Sequence, residues 1–293
     1  MAARIIDGKS IAAEVKEELG ARVAALRRGG VVPCLSVVLV GDDPASAVYV
    51  RSKAKAAHKI GIDDRTFRLP AETAREELLG RIAELDADRS VHGILVQLPL
   101  PPHLDPTVVI EAIGPAKDVD AFHPENVGLI SAGRPRFLPC TPAGVREILR
   151  REKIPTARRH VVIVGRSDIV GRPLAGMLLH KGDKGDATVT VCHSRTPDLA
   201  HHTLRADILV AAVGVPELIR GDMIAEGAVV IDVGVNRVED SSRPRGYRLA
   251  GDVAFDEALE RAEAITPVPG GVGPMTIAML LSNTVAAAER GTT

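Results

Sequence analysis

The sequence is poor in cysteine. Only three occur in 293 residues, Cys34, Cys140 and Cys192, and no two of them form a CxxC pair. A scattered, odd set excludes a disulfide framework and a structural zinc site, and it fits a reducing compartment. Charge of one sign is lacking as well: 37 Lys and Arg stand against 38 Asp and Glu. That balance leaves no electrostatic footprint for nucleic acid and no polybasic arm for a membrane, although local anion sites stay open. No apolar run approaches the length of a membrane span, and the N-terminus, with Arg4, Asp7 and Lys9, lacks the apolar core of a secretory signal. The expectation is a cytoplasmic protein. What is abundant is apolar material, 45 % of the chain, enough for a core in one large or two modest domains and too much for disorder.

Periodicity organises the first half. Ile11, Val15, Leu19, Val23 and Leu26 recur at helical spacing, so a helix is predicted from Ser10, capped by that serine and stopped at Gly29-Gly30. LSVVLV (35–40) reads as a buried strand ending at Gly41, and residues 46–60 return to a helical pattern ended by Gly61. Thr73 with Glu76 has the form of a capping box for the next helix. GILVQ (93–97) is a second buried strand, and it runs into LPLPP, where prolines forbid further ladder bonding. Asp105-Pro106 and Thr141-Pro142 each pair a capping residue with a first-turn proline, so a helix is expected to start at both.

The second half alternates more tightly. Strands are predicted at HVVIV (160–164), ATVTVC (187–192), DILVAA (207–212) and AVVIDV (228–233), with helices or loops between them. That alternation implies parallel pairing with both sheet faces covered, an α/β fold. No repeat of solenoid period and no low-complexity linker interrupts it. A change of role near Thr141 gives a first domain over 1–141 and a second over 142–273, with a closing helix in 274–293 packing back on the first.

HVVIVGRSDIVGRP is a strand, a glycine turn and a helix start in order. Gly165 would let the chain turn off the strand, Gly171 would let backbone approach a phosphate, and Pro173 suits the first helical turn. Free N–H groups there favour an anion. Because this is not GxGxxG, an ordinary βα turn is the competing reading. The second strand of the unit ends in Cys192-His193-Ser194-Arg195, without the acid that holds ribose hydroxyls in a NAD site. Ser194 can donate to a 2′-phosphate and Arg195 or Arg166 can neutralise it, which favours NADP; the competing reading leaves both arginines as solvated surface.

The first half carries other chemistry. Tyr49 and Lys53 form a YxxxK, and on a helix that spacing puts hydroxyl and ammonium on one face. Most helical lysines are solvated, and Lys55 and Lys59 are read so. The same string marks short-chain dehydrogenases, but there it follows the glycine turn, whereas here it precedes Gly165. Gln97 stands at the polar end of an apolar strand, the edge where α/β proteins place their sites. In KDVDAF (117–122), Asp118 and Asp120 are read as turn or substrate hydrogen-bonding groups ahead of metal ligands. His201-His202 shows no ligand spacing, and no metal is assigned. TPVPGGVGPMT (266–276) packs three glycines and three prolines into one stiff connection whose backbone can approach a ligand.

The strings YVRSKAKAAHKIGI, GILVQLPLP, KDVDAFHPENVG, PCTPAGV, VGRSDIVGRP, ATVTVCHSRT, VIDVGVN, GDV and TPVPGGVGPMT follow one another in this order. Together they resemble the bifunctional methylenetetrahydrofolate dehydrogenase/cyclohydrolases, over almost the whole chain. The resemblance implies a homodimer whose subunits hold a folate-binding α/β catalytic domain and a Rossmann-type NADP domain, with substrate in the cleft between. It makes Lys53 the catalytic lysine, Tyr49 its stacking and hydrogen-bonding partner, Gln97 the glutamine working with it, and Asp120 the carboxylate holding the pterin. Leu98, Pro99, Pro269, Gly270 and Gly271 join the implied substrate site. The implied cofactor site takes Gly165, Arg166, Ser167, Val170, Gly171, Pro173, His193, Ser194, Arg195, Val213, Gly214, Val235 and Thr276. Two departures stand out: Ala121 where the family usually has glycine, and a slightly long connection at HKGDKGD (180–186), expected on the surface without a mechanistic part.

The reaction so implied begins with hydride transfer from the folate methylene bridge to the nicotinamide, a step that needs placement more than acid–base power. Water then attacks the methenyl carbon and the ring opens to 10-formyltetrahydrofolate, within one-carbon metabolism and purine biosynthesis. Lys53, partly buried and hydrogen-bonded to Tyr49 and Gln97, is the expected proton carrier. The alternatives are a dehydrogenase-only member using NAD, a shikimate-type two-domain dehydrogenase, and a dinucleotide-binding module without catalysis. A fused formyltetrahydrofolate synthetase is not expected at this length.

Overall fold

The computed structural model describes residues 2–182, 184–243 and 246–291. The chain forms two units, one of residues 13–140 with 277–293 and one of residues 1–12 with 141–276.

The chain opens with β1 (Arg4–Ile5) and α1 (Gly8–Arg28). Ser10 is not the cap of α1. Asp7 is: its Oδ1 accepts from the backbone N–H groups of Lys9 and Ser10, each at 3.0 Å, and its charge suits the positive end of the helix. Then follow β2 (Cys34–Val40), buried throughout, and α2 (Pro44–Lys59). Asp43 caps α2 by accepting from the Ser46 N–H at 2.7 Å, an interaction of about 1 kcal/mol. β3 (Asp63–Leu69) was not foreseen; it is a polar, half-buried edge strand. The Thr73–Glu76 capping box does not form. The Thr73 N–H closes a turn onto the Pro70 carbonyl at 3.1 Å, so α3 (Arg75–Ala87) starts later, from Ala74, without a side-chain cap.

β4 (Gly93–Val96) leads to α4 (Pro106–Glu111), capped by Asp105 as the Asp-Pro pair predicts, and to α5 (Pro124–Ser131). α6 (Cys140–Arg151) begins before Thr141, so that threonine is not a cap; its hydroxyl pairs with that of Thr276 at 3.0 Å. The rest alternates through β5 (His160–Val164), α7 (Gly171–Leu178), β6 (Thr188–Cys192), α8 (Leu199–Thr203), β7 (Ile208–Ala211) and β8 (Val229–Asp232). A ribbon of β9 (Asn236–Glu239) and β10 (Tyr247–Ala250), α9 (Phe255–Leu259), β11 (Ala264–Ile265) and α10 (Val272–Arg290) complete it. The closing helix thus starts two residues ahead of Pro274, and positions 292–293 of the expected 274–293 lie outside the described residues. So does residue 183 of the 180–186 connection; beside it, Asp186 ties back to the His180 carbonyl through its N–H at 2.7 Å.

In the first of the two units, β3, β2 and β4 form a parallel sheet with β2 central. Its core joins Val38, Val40, Ile94 and Val96 to Leu78, Ile82 and Leu85 of α3. The second unit holds a six-stranded, all-parallel sheet in the order β1-β11-β8-β7-β5-β6. Continuous apolar runs fill β5, β7 and β8, inner strands of the sheet, because both faces are covered there. β1 pairs Arg4 with Ala264 in that sheet, so the N-terminal residues lie with the second unit, a correction to a first domain beginning at residue 1. The chain leaves β5 for β6 on one side and returns to β7 on the other, which makes the carboxyl end of β5 the topological switch point.

Candidate active site

In the unit of residues 13–140 the predicted chemistry gathers at the carboxyl end of β4 and on α2. Lys53 is only 9 % exposed, on the same face of α2 as Val50 and Ala57. Its Nζ donates to Gln97 Oε1 at 3.0 Å. Gln97 follows directly on β4, and its N–H still reaches the Val38 carbonyl at 2.9 Å. A charged donor meeting a neutral amide in a half-buried setting gives a strong, directional bond. Tyr49 departs from expectation: it is 47 % exposed and, among the described residues, makes no hydrogen bond with Lys53. Pro99 is exposed, and Leu98 shares the wall of a cavity of about 20 Å³ with Asp120 and Phe122.

Asp118 and Asp120 have different roles. Asp118 is buried and forms the turn: it accepts from the His123 N–H and from Asn126 Nδ2, both at 2.8 Å, and burial raises its pKa. Asp120 is partly open. Beside it, Ala121 is fully buried with φ +59, in the left-handed region that side chains disfavour. Asn283 of α10 fixes this segment by donating to the carbonyls of Val119 at 2.7 Å and Leu138 at 2.9 Å. Burial holds the Cys140 thiol well above its ordinary pKa; the Asp120 carboxylate pushes the same way, and Lys53 pulls it back. Lys53, Asp120 and Cys140 therefore sit within one electrostatic cluster. Cys140 and Asn283 were missed as site residues, and no local pattern marks either.

The other unit collects the predicted dinucleotide residues along the carboxyl edge of its six-stranded sheet. Arg166 and Ser167 follow β5, His193, Ser194 and Arg195 follow β6, Val213 and Gly214 follow β7, and Val235 follows β8. Gly165 leaves β5 at φ +132, and a Cβ there would collide with the Ala212 carbonyl oxygen. Gly171 lies against the Gly165 carbonyl with similar closeness, so its smallness closes the turn on itself. The Ser167 hydroxyl accepts from Val170 N at 3.2 Å and Gly171 N at 3.5 Å, and Pro173 lies in the first turn of α7. His193 is spent on its own turn, its Nδ1 accepting from the Arg195 N–H at 3.1 Å. Ser194 and Arg195 stay exposed, and so does Arg166. Neither arginine is in an ion pair among the described residues. A glycine-closed turn at the switch point, flanked by two free guanidiniums and no acid after β6, fits a dinucleotide with a 2′-phosphate.

Thr276 stands in the early turns of α10. Pro269, Gly270 and Gly271, expected to touch substrate, belong by chain position to this same unit: Pro269 is exposed, and the Gly271 N–H bonds the Pro267 carbonyl at 2.8 Å. Among the described residues no group of three or more His, Cys, Asp or Glu could hold a metal ion.

Comparison with known proteins agrees with both halves. Residues 6–120 match the family model described as tetrahydrofolate dehydrogenase/cyclohydrolase, catalytic domain, and residues 139–292 match the NAD(P)-binding domain of the same family. "Bifunctional protein FolD 1" of Myxococcus xanthus (strain DK1622) is 58 % identical over 289 residues, covering 98 % of each chain. The crystal structure of the bifunctional FolD methylenetetrahydrofolate dehydrogenase/cyclohydrolase from Campylobacter jejuni is 48 % identical, with a TM-score of 0.93 over 99 % of both chains. The Trypanosoma brucei methylenetetrahydrofolate dehydrogenase-cyclohydrolase, solved with NADP cofactor and an inhibitor, is 43 % identical with a TM-score of 0.94 over 100 % of this chain and 99 % of that one. Two family models and relatives matched along their whole length place this chain in the tetrahydrofolate dehydrogenase/cyclohydrolase family.

Proposed function

We propose that this protein oxidises 5,10-methylenetetrahydrofolate with NADP and hydrolyses the resulting methenyl compound to 10-formyltetrahydrofolate. The observation that carries the reading is the half-buried Lys53–Gln97 hydrogen bond at 3.0 Å at the carboxyl end of β4. NADP, when bound, supplies the hydride acceptor. Arg166, Ser167, Ser194 and Arg195 hold its phosphates, and the absence of an acid after β6 removes repulsion from the 2′-phosphate. Asp120 accepts from the pterin and orients it. Tyr49, half exposed on the turn before Lys53, offers its ring for stacking.

Lys53 serves the second step. Attack of water on the methenyl carbon forms a C–O bond and releases a proton; ring opening breaks a C–N bond, and the departing nitrogen takes a proton up. The Lys53 ammonium, aimed by the Gln97 oxygen, is the group in place to give a proton to the departing nitrogen and then, as the amine, to take up the one that water releases. Gln97 in turn donates through Nε2 to the Leu98 carbonyl at 2.6 Å, so its oxygen is fixed toward the lysine. The working form in this reading is a cytoplasmic homodimer. Three free, buried cysteines support the reducing compartment, and no helix among the described residues is long and apolar enough to cross a membrane.

The test is a spectrophotometric assay with methylenetetrahydrofolate, run with NADP and with NAD, following both reduced nicotinamide and the methenyl chromophore. NADPH without methenyl build-up is expected. Accumulating methenyl product would leave a dehydrogenase with an idle Lys53 network, and no reduction with either cofactor would sink the proposal.

A further inference from the structure

Two buried carboxylates in the unit of the six-stranded sheet have no part in the mechanism above. Asp232 ends β8 and is 4 % exposed; Asp252, in the turn after β10, is completely buried. Asp252 Oδ2 accepts the N–H of Val213 at 2.6 Å and of Gly214 at 3.0 Å, and its Oδ1 accepts from Asn236 Nδ2 at 2.9 Å. Asp232 holds Asp252 in turn: its Oδ1 accepts from the N–H groups of Gly234 and Asp252 and its Oδ2 from that of Val253, each at 3.0 Å. The approach leaves no space for side chains. A Cβ at Gly234 would collide with the Asp252 carboxylate, and one at Gly251 with that of Asp232.

We propose that Asp252 is a positioning residue for hydride transfer, setting the backbone of Val213-Gly214 and of the Val235-Asn236 turn against the nicotinamide half of the bound dinucleotide. The inference rests on the reading of the carboxyl sheet edge as the NADP site. A dinucleotide crosses such a sheet at the switch point, here the end of β5. The 2′-phosphate half lies toward β6, where Ser194 and Arg195 stand. The other half falls over the ends of β7 and β8, the two loops that Asp252 ties together. Each group that bonds the Asp252 carboxylate is a donor, so only an acceptor with several lone pairs satisfies them; an amide there would turn its own N–H groups onto some of them. Two N–H groups held by one carboxylate fix the peptide planes of residues 213–214, and with them the surface the ring meets. Displacements of about 1 Å at such a surface cost on the order of 10²-fold in rate.

The experiment uses the full chain with Asp252→Asn, and Asn236→Ala as a milder variant that removes one donor. Three readouts are compared: NADP-dependent hydride transfer, binding of adenosine 2′,5′-bisphosphate as the phosphate-half probe, and hydrolysis of supplied methenyltetrahydrofolate. Asp252→Asn is expected to lower kcat for hydride transfer on the order of 10²-fold while the other two readouts hold at the unsubstituted level. Asn236→Ala should lose less, in the same step. Parallel losses in all three readouts would make Asp252 a folding residue and overturn the inference, as would unchanged hydride transfer. Absence of NADP reduction by the unsubstituted protein would instead bring down the functional reading, and this inference with it.

Discussion

The Lys53 ammonium and the Gln97 amide oxygen are 3.0 Å apart although 44 residues separate them, the lysine coming from α2 and the glutamine from the end of β4. The partner of the lysine is thus an uncharged acceptor fixed to the sheet, which orients the ammonium without neutralising it. A carboxylate in the same place would lock the proton in an ion pair.

Lys53→Met is therefore expected to lower methenyl hydrolysis by about 10²–10⁴-fold while leaving measurable hydride transfer. The check is a stopped-flow assay of methenyl decay beside the NADPH assay. A variant that opens the ring at the unsubstituted rate would remove Lys53 from the mechanism.

Asp120→Ala separates the two ligands. Losing a charged hydrogen-bond acceptor should weaken folate binding by about 1.5–3 kcal/mol and leave NADP affinity unchanged. Calorimetric titration with each ligand measures both; equal losses would point to a folding defect.

Gly165→Ala tests the turn after β5. At φ +132 an added methyl would run into the Ala212 carbonyl, a backbone atom that no rotamer change can move. Destabilisation of about 3 kcal/mol or more is expected, together with loss of NADP binding. Thermal unfolding with and without NADP reads it out, and an alanine variant melting with the unsubstituted protein would contradict the geometry.

Asp232 predicts a pH dependence. Burial raises its pKa from 3.8 to about 7, against the N–H groups of Asp252 and Val253 that favour the ionised form. Between about pH 4 and about pH 7 the native state keeps a proton that the unfolded chain has released, so this group's contribution to stability falls as pH rises through that window. Asp232→Asn cannot ionise. The Tm of the unsubstituted protein minus that of the variant should shrink between about pH 4 and about pH 7. A difference that grows would reverse the assignment.

Much of this architecture was legible in the sequence because it is written in runs. β5, β7 and β8 are continuous apolar stretches bounded by turn residues, and α1 repeats its apolar positions at helical spacing. β3 was not legible: its Asp63, Asp64, Arg65 and Arg68 are tolerated because it lies at the edge of its sheet, half in water. The cap of α1 was misread where two candidates competed, Asp7 against Ser10, since only the backbone path decides which carboxylate or hydroxyl meets the free N–H groups; at α3 that path carries Thr73 into a turn and leaves Ala74, which has no capping group, at the helix start. At the site, Lys53 and Gln97 could be read from their elements. Asn283 and Asp252 could not, because each acts on segments far away in sequence: Asn283 on Val119 and Asp252 on Val213.

Ala121 has an entropic consequence. A side chain held at φ +59 carries steric strain of about 1–2 kcal/mol in the native state. The same methyl restricts the unfolded chain, and that offsets about 0.4–1 kcal/mol of the strain relative to glycine. The balance leaves the peptide after Asp120 with fewer alternatives on both sides of the folding equilibrium. A glycine there would make a looser joint, free to re-aim the carboxylate; with alanine the backbone that carries Asp120 is pre-set before any ligand arrives.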